Sequence, residues 1–78
     1  MKLAVVDNVN GVFKVESEWN VPDAPSAQGA IVAFHSRCTV LWNAADVQRA
    51  TVKILDEDLN LFGDYEETVV HNQEPEGE

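Results

Sequence analysis

The stretch Lys2–Trp19, KLAVVDNV-NG-VFKVESEW, decides the fold because an Asn-Gly pair separates two valine-rich segments. Asn and Gly tolerate the positive φ angles that a type I′ turn requires at both of its central residues. Two such segments joined by this pair are typical of a β-hairpin. We therefore predict strands over Lys2–Val9 and Val12–Trp19, joined by a turn at Asn10 and Gly11.

The two-residue turn also predicts the register and the two faces of this hairpin. Val9 pairs with Val12, Asp7 with Lys14, Val6 with Val15, and Ala4 with Ser17. Side chains alternate between the faces of a strand. One face therefore carries Ala4, Val6, Phe13 and Val15, with Trp19 at its edge. The other face carries Leu3, Val5, Val9 and Val12 beside the charged residues Lys14, Glu16 and Glu18.

The next segment carries the signals of a helix. Asp23 or Ser26 can cap its N-terminus. Apolar residues then recur at the spacing of one helical face: Ile31, Phe34, Cys38, Leu41, Trp42 and Ala45. We predict a helix over residues 25–43 that ends at Asn43 in the left-handed conformation. The alternative is a β-segment, because Ile31-Val32 and Thr39-Val40 are β-branched and Gly29 weakens a helix, but the segment is long for a strand.

A second hairpin follows. Arg49–Leu55 alternates between apolar and polar residues and predicts a strand. Residues Asp56–Leu59 predict a turn, and Asn60–His71 the returning strand. With Glu57 and Asp58 as the turn pair, Ile54 faces Leu61, Val52 faces Gly63, Ala50 faces Tyr65 and Arg49 faces Glu66.

The predicted order is β-β-α-β-β, a small α+β domain over residues 1–71 in which one amphipathic helix packs on an antiparallel sheet of about four strands. Residues 72–78 contain no apolar side chain and predict a disordered acidic tail. One helix covers only one face of the sheet. We therefore expect Leu3, Val5, Val9 and Val12 to stay uncovered unless a second copy or another protein binds there.

Charge and cysteine content limit the possible functions. Residues 1–55 carry five bases and five acids, whereas residues 56–78 carry nine acids and no base, so the formal charge of −9 lies in the last third. Such a chain repels a phosphate backbone, and direct nucleic-acid binding is not expected. A single cysteine excludes an intrachain disulfide framework. With no apolar run of about 20 residues, we expect a cytoplasmic protein without membrane contact.

Two patterns resemble metal or catalytic sites. Residues Asp56, Asp58, Asn60, Asp64 and Glu67 occupy ligand positions of an EF-hand calcium loop. Leu61 stands where that loop requires glycine, and the flanks predict strands, so we expect no calcium site. His35-x-x-Cys38 offers a nucleophile or metal pair, with His71 elsewhere in the chain, but a site needs further partners. We therefore expect Cys38 in the core.

No glycine-rich phosphate loop and no Ser/His/Asp set is present, so we expect neither an enzyme nor a cofactor. The leading hypothesis is a non-enzymatic interaction protein that forms a homodimer through an uncovered sheet face. The alternative is an acidic mimic of nucleic acid that occupies the basic groove of a partner protein. The predicted partner-binding residues are Leu3, Val5, Val9 and Val12 on the sheet, and Glu57, Asp58, Asp64 and Glu66 among the acids.

Overall fold

Four strands and one helix form in the predicted order in a computed structural model that describes residues 1–71. The elements are β1 (Lys2–Val9), β2 (Val12–Asn20), α1 (Gln28–Trp42), β3 (Arg49–Asp56) and β4 (Leu61–Val70). The strands make one antiparallel sheet in the order β2-β1-β3-β4, and α1 packs on one face of it. This confirms the predicted α+β domain. The tail prediction concerns residues 72–78, which lie outside the described part of the chain.

The Asn10-Gly11 turn joins the first hairpin to the rest of the sheet. Both residues have positive φ angles, 51° and 89°, as a type I′ turn requires. The side-chain oxygen of Asn10 accepts hydrogen bonds from the backbone N–H groups of Gln48 and Arg49, and its side-chain nitrogen donates to the carbonyl of Asp46. The turn thereby holds the start of β3 beside the end of β1.

The first hairpin contains a β-bulge that the sequence does not predict. Val9 pairs with Val12, Asp7 with Lys14 and Val6 with Val15, as expected, but Val5 rather than Ala4 pairs with Ser17. Glu16 is the extra residue. One extra residue reverses the alternation of side chains in the rest of the strand. Trp19 therefore lies opposite Leu3, on the face that the helix covers.

The helix covers the face that was predicted to remain open. Leu3 and Val5 are each only 1% exposed and pack in the core with the apolar side of α1 and with β3 and β4. The core consists of Leu3, Val5, Val21, Ala27, Ala30, Phe34, Cys38, Leu41, Val47, Ala50, Val52, Ile54 and Val69. The prediction that Leu3 and Val5 lie on an uncovered face is wrong, because these side chains make up the hydrophobic layer beneath the helix.

The helix begins later than predicted and ends by a different mechanism. A short 3-10 turn, Ala24–Ser26, precedes α1, and the side chain of Asp23 accepts a hydrogen bond from the backbone N–H of Ser26 in a capping box. Asn43 does not adopt the left-handed conformation, since its φ and ψ are −98° and 1°. Its side-chain nitrogen instead donates to the carbonyl of Thr39.

The register of the second hairpin also differs from the prediction. Four residues, 57–60, separate β3 from β4, and among them Leu59 has a φ of 65°. The side-chain oxygen of Asp56 accepts from the backbone N–H groups of Asp58 and Asn60. A bulge around Gly63, where φ is 57°, then separates the pair Leu55–Leu61 from the pair Lys53–Glu66. Consequently Ala50 pairs with Val69 instead of Tyr65, and Arg49 with Val70 instead of Glu66.

One buried ion pair connects the sheet to the helix. The carboxylate of Asp7 is 1% exposed and accepts a hydrogen bond of 2.6 Å from Nε of Arg37. Glu16, placed on this side by the bulge, has its carboxylate 3.6 Å from Nη2 of Arg37. Within residues 1–71, Oδ1 of Asp7 has no hydrogen-bond partner. Arg37 is therefore the main compensation for a carboxylate that has lost its hydration.

We predict that Arg37→Met lowers the free energy of unfolding by about 3 kcal/mol, because it leaves Asp7 buried without a counter-charge. The double substitution Asp7→Val and Arg37→Met should recover most of this loss, since an apolar pair needs no hydration. Urea denaturation measures the free energy of unfolding of the wild-type protein, the single variant and the double variant. The control is Lys53→Met, which breaks the exposed 3.7 Å pair with Glu66 and should cost less than about 1 kcal/mol. If Arg37→Met and Lys53→Met lower the free energy of unfolding equally, the buried pair is no more important than the exposed one and the prediction is wrong.

Gly29 allows the helix to approach Trp19. A Cβ atom at position 29 would lie 2.8 Å from Cζ3 of the Trp19 ring. Alanine is a better helix former than glycine by about 1 kcal/mol, but overpacking costs about 1–3 kcal/mol. We therefore predict that Gly29→Ala destabilises the protein and becomes stabilising when Trp19→Leu removes the ring. A thermodynamic cycle in urea tests this, and a stabilising Gly29→Ala in the wild-type background would refute it.

Candidate functional site

The sheet face opposite the helix, here called the open face, is not covered by any other element of residues 1–71. Its central residues form two rows across the four strands. One row contains Val15, Val6, Lys53 and Glu66, and the next contains Phe13, Asn8, Thr51 and Thr68. These residues alternate along each strand with those that face the helix. The open face is thus fixed by the same alternation that builds the core.

A shallow groove of about 790 Å³ runs across the open face. Val6 forms part of its floor and is only 5% exposed, although no other layer covers it, because its neighbours shield it. Phe13 and Val15 project from β2 and are 61% and 46% exposed. An aromatic ring and a valine this exposed beside a buried apolar floor are typical of a protein-interaction surface.

The charges in the groove nearly balance. Arg49 and Lys53 lie on β3, and Glu66 on β4 has its carboxylate 3.7 Å from Nζ of Lys53. Across the sheet, Glu18 pairs in register with Ala4, which places it on the open face as well. Lys2 pairs with Asn20 and alternates with the core residue Leu3, so three of the five basic residues of the chain lie on this face with two acids. The face is close to neutral in a chain with a formal charge of −9.

All four predicted apolar partner-binding residues lie on the helix side of the sheet. Leu3 and Val5 are core residues, and Val9 is partly buried against the core. Val12 is exposed, but it pairs with Val9 and therefore lies on the helix side at the end of the sheet. The open face instead carries Ala4, Val6, Phe13 and Val15. The sequence pattern predicted these four residues on the face that the helix covers.

The acidic residues between positions 56 and 71, the described part of the last third, do not form one surface. Glu57 accepts a hydrogen bond from the backbone N–H of Lys2, and Asp58 is exposed in the β3–β4 turn. Asp64 is exposed in the β4 bulge. Glu66 is on the open face, whereas Glu67 pairs with Val52 and lies on the helix side. This split gives no support to a continuous array of carboxylates that would imitate phosphates.

The residues that suggested metal or cysteine chemistry are also dispersed. Within residues 1–71, no group of three or more His, Cys, Asp or Glu side chains is arranged to hold a metal ion. Nε2 of His71 donates to the carbonyl of Leu41 at 2.9 Å. Burial raises the pKa of the Cys38 thiol to about 11, and the Glu67 carboxylate contributes to the rise. Cys38 is therefore a buried protonated thiol with little nucleophilic character.

Comparison with known proteins returns no match, whether to a protein-family model, a curated protein or a solved structure. In the described part of the chain, no helix is long and apolar enough to cross a membrane.

We predict that Cys38 resists thiol reagents in the native protein. At pH 8 only roughly a thousandth of a thiol with this pKa is ionised, and burial also blocks access. Labelling by Ellman's reagent should be at least about a hundredfold slower than at Asp46→Cys in a Cys38→Ala background, because residue 46 is exposed. Urea should abolish the difference. Equal native rates at the two positions would contradict the buried placement of Cys38.

Proposed function

We propose that this protein is a non-enzymatic, cytoplasmic interaction module that forms a homodimer through its open face. The observation that carries the proposal is the exposure of Phe13 and Val15 beside the groove floored by Val6. Burying such side chains against a second copy removes apolar surface from water, which is the main driving force of association. The cytoplasmic part of the proposal is supported by the single, buried free cysteine, which suits a reducing compartment.

The charge distribution favours a second copy as the occupant of the open face. Two molecules of this acidic chain repel each other at most orientations. The open face is the exception, since Arg49 and Lys53 are accompanied there by Glu18 and Glu66. Two open faces can therefore meet without bringing together an excess of charge of one sign. Basic groups of one copy can also pair with acidic groups of the other.

The size of the open face is compatible with a stable contact. Four strands spaced about 4.8 Å apart, each roughly 30 Å long, present a face of roughly 600 Å² before the relief of the side chains is counted. Standard interfaces bury about 800 Å² on each partner. The open face thus reaches the size of a modest interface, and we expect a dissociation constant in the micromolar range.

The lining of the groove supports binding rather than catalysis. The side chains that line it include neither histidine nor cysteine, and its acidic residue on the open face, Glu66, is engaged by Lys53. General acid–base or nucleophilic catalysis needs a base and a reacting group held in contact. Threonine, asparagine and glutamine side chains provide hydrogen bonds for recognition instead.

We predict that sedimentation equilibrium finds a dimer at tens of micromolar protein and a monomer for Phe13→Asp, because the substitution places a charge in the exposed apolar part of the contact. The matched control is Leu59→Asp. Leu59 is 77% exposed but lies in the β3–β4 turn, outside the groove that Phe13 lines, and its left-handed conformation tolerates aspartate. This control should remain dimeric. A wild-type protein that is monomeric at 200 μM, or a dimeric Phe13→Asp, would overturn the proposal.

A further inference from the structure

Asn10 is the one asparagine of the chain that glycine follows, and it is exposed in the turn of the first hairpin. The other asparagines precede Val9, Val21, Ala44, Leu61 and Gln73. Asparagine is a thermolabile residue, and the pair Asn-Gly is the most reactive, because glycine has no side chain to hinder attack by its backbone nitrogen. The turn that determines the first hairpin therefore contains two residues that can react with each other.

This reaction, deamidation, is internal to the chain and needs only water. The backbone nitrogen of Gly11 attacks Cγ of Asn10, so a C–N bond forms between them and the bond from Cγ to Nδ2 breaks. The Gly11 amide proton leaves with the Nδ2 group as ammonia, and a five-membered imide remains. Water then opens the imide at either carbonyl. The product is aspartate, or isoaspartate with one more methylene group in the backbone, and each carries a new carboxylate.

Four hydrogen bonds join Asn10 to residues 46–49, and together they are here called the Asn10 junction. Oδ1 accepts from the backbone N–H of Gln48 at 2.8 Å and from that of Arg49 at 3.2 Å. Nδ2 donates to the carbonyl of Asp46 at 3.2 Å, and the backbone N–H of Asn10 donates to the carbonyl of Arg49 at 2.8 Å. The side-chain amide is thereby held toward the start of β3.

The turn conformation also keeps the two reacting atoms apart. The imide ring closes only when Cβ of Asn10 and the nitrogen of Gly11 lie on the same side of the Asn10 Cα–C bond. In a type I′ turn ψ of the first central residue is about 30°, which is far from this arrangement. Because β2 follows at once, the required rotation breaks the pair Val9–Val12. Two N–H donors on Oδ1 would stabilise the oxyanion of the attack, but only if the nitrogen reached Cγ.

We propose that Asn10 is a self-modification site, and that the Asn10 junction restricts its deamidation to molecules in which this end of the sheet has opened. Native proteins open locally at free energies below that of global unfolding. An opening that separates the turn from residues 46–49 releases both the side chain and the backbone rotation of Asn10. This inference goes beyond the proposed function and does not require it.

Neither product can restore the Asn10 junction. Aspartate places an oxygen where Nδ2 donated to the carbonyl of Asp46, so two acceptors face each other. Isoaspartate lengthens the two-residue turn that sets Val9 opposite Val12. A copy that has opened and reacted therefore opens more readily afterwards, and the change is not reversed by refolding.

Peptide mass spectrometry of the full chain, incubated at pH 8 and 37 °C, tests the site and its restriction. In unfolding urea, Asn10 should react at least about ten times faster than any other asparagine. In native buffer its rate should be at least about tenfold lower than in urea. The native rate should be equal at 1 μM and 100 μM protein, whereas a faster reaction on dilution would assign the protection to the proposed dimer. A native rate that equals or exceeds the rate in urea would overturn the proposal.

Two matched valine variants distinguish local opening from global unfolding. Val47 is 4% exposed and anchors the segment that bonds to Asn10, whereas Val21 is 8% exposed and follows the far end of β2, roughly 30 Å from the turn. Val47→Ala should accelerate native deamidation at least about fivefold, and Val21→Ala less than about twofold. Urea denaturation verifies that both variants fold and lose similar stability. Equal acceleration would show that the reaction requires global unfolding, which contradicts the role of the Asn10 junction.

A third pair of variants tests the effect of the product. Asn10→Asp reproduces one product, and Gln48→Glu adds the same charge beside it, while the backbone N–H of residue 48 remains available to Asn10. We expect Asn10→Asp to lower the urea midpoint by roughly 0.5 M, and Gln48→Glu by less than half of that. Equal shifts would assign the effect to charge alone and would refute the proposed loss of the contact with Asp46.

Discussion

The buried ion pair between Asp7 and Arg37 is the constraint on which the arrangement of this domain depends. Asp7 shares its face of β1 with Leu3 and Val5, so the helix that covers these apolar residues must also supply a positive charge. Arg37, the only charged residue of α1, supplies it. A helix rotated to bring another side toward the sheet would leave a carboxylate buried without compensation. The pair therefore fixes both the covered face of the sheet and the buried side of the helix.

This constraint explains why the sequence predicts the elements well but assigns the two faces of the sheet the wrong way round. Valine-rich strands, an Asn-Gly turn and a helical apolar spacing are local signals, and they locate all four strands and the helix. The choice of face depends on two residues 30 positions apart. The charged residues Lys14, Glu16 and Glu18 on the Leu3 face suggested solvent, although Asp7 on the same face is paired with Arg37 beneath the helix. Arg37 is the one charged residue in the sequence of α1, and this is the signal that favours the correct face.

Register was predictable only where the turn determines it. Asn10 and Gly11 set the first pairs of the first hairpin correctly, but the bulge at Glu16 has no glycine to mark it. In the second hairpin the left-handed residue is Leu59, which is unfavourable for a leucine side chain and so gives no sequence signal. Asp56 compensates with two hydrogen bonds to the turn backbone. Glu66 and Glu67, which follow on β4, consequently lie on opposite faces, a result that spacing alone could not provide.

The bulges also restrict how copies of this chain can associate. Exposed edge strands tend to pair with those of other molecules, and native sheets prevent this with bulges and charged residues. Here β2 has the bulge at Glu16, and the other edge strand, β4, has the bulge at Gly63 followed by Glu66 and Glu67. Both edges are therefore poor templates for continuing the sheet. The surface that remains suited to contact is the near-neutral open face.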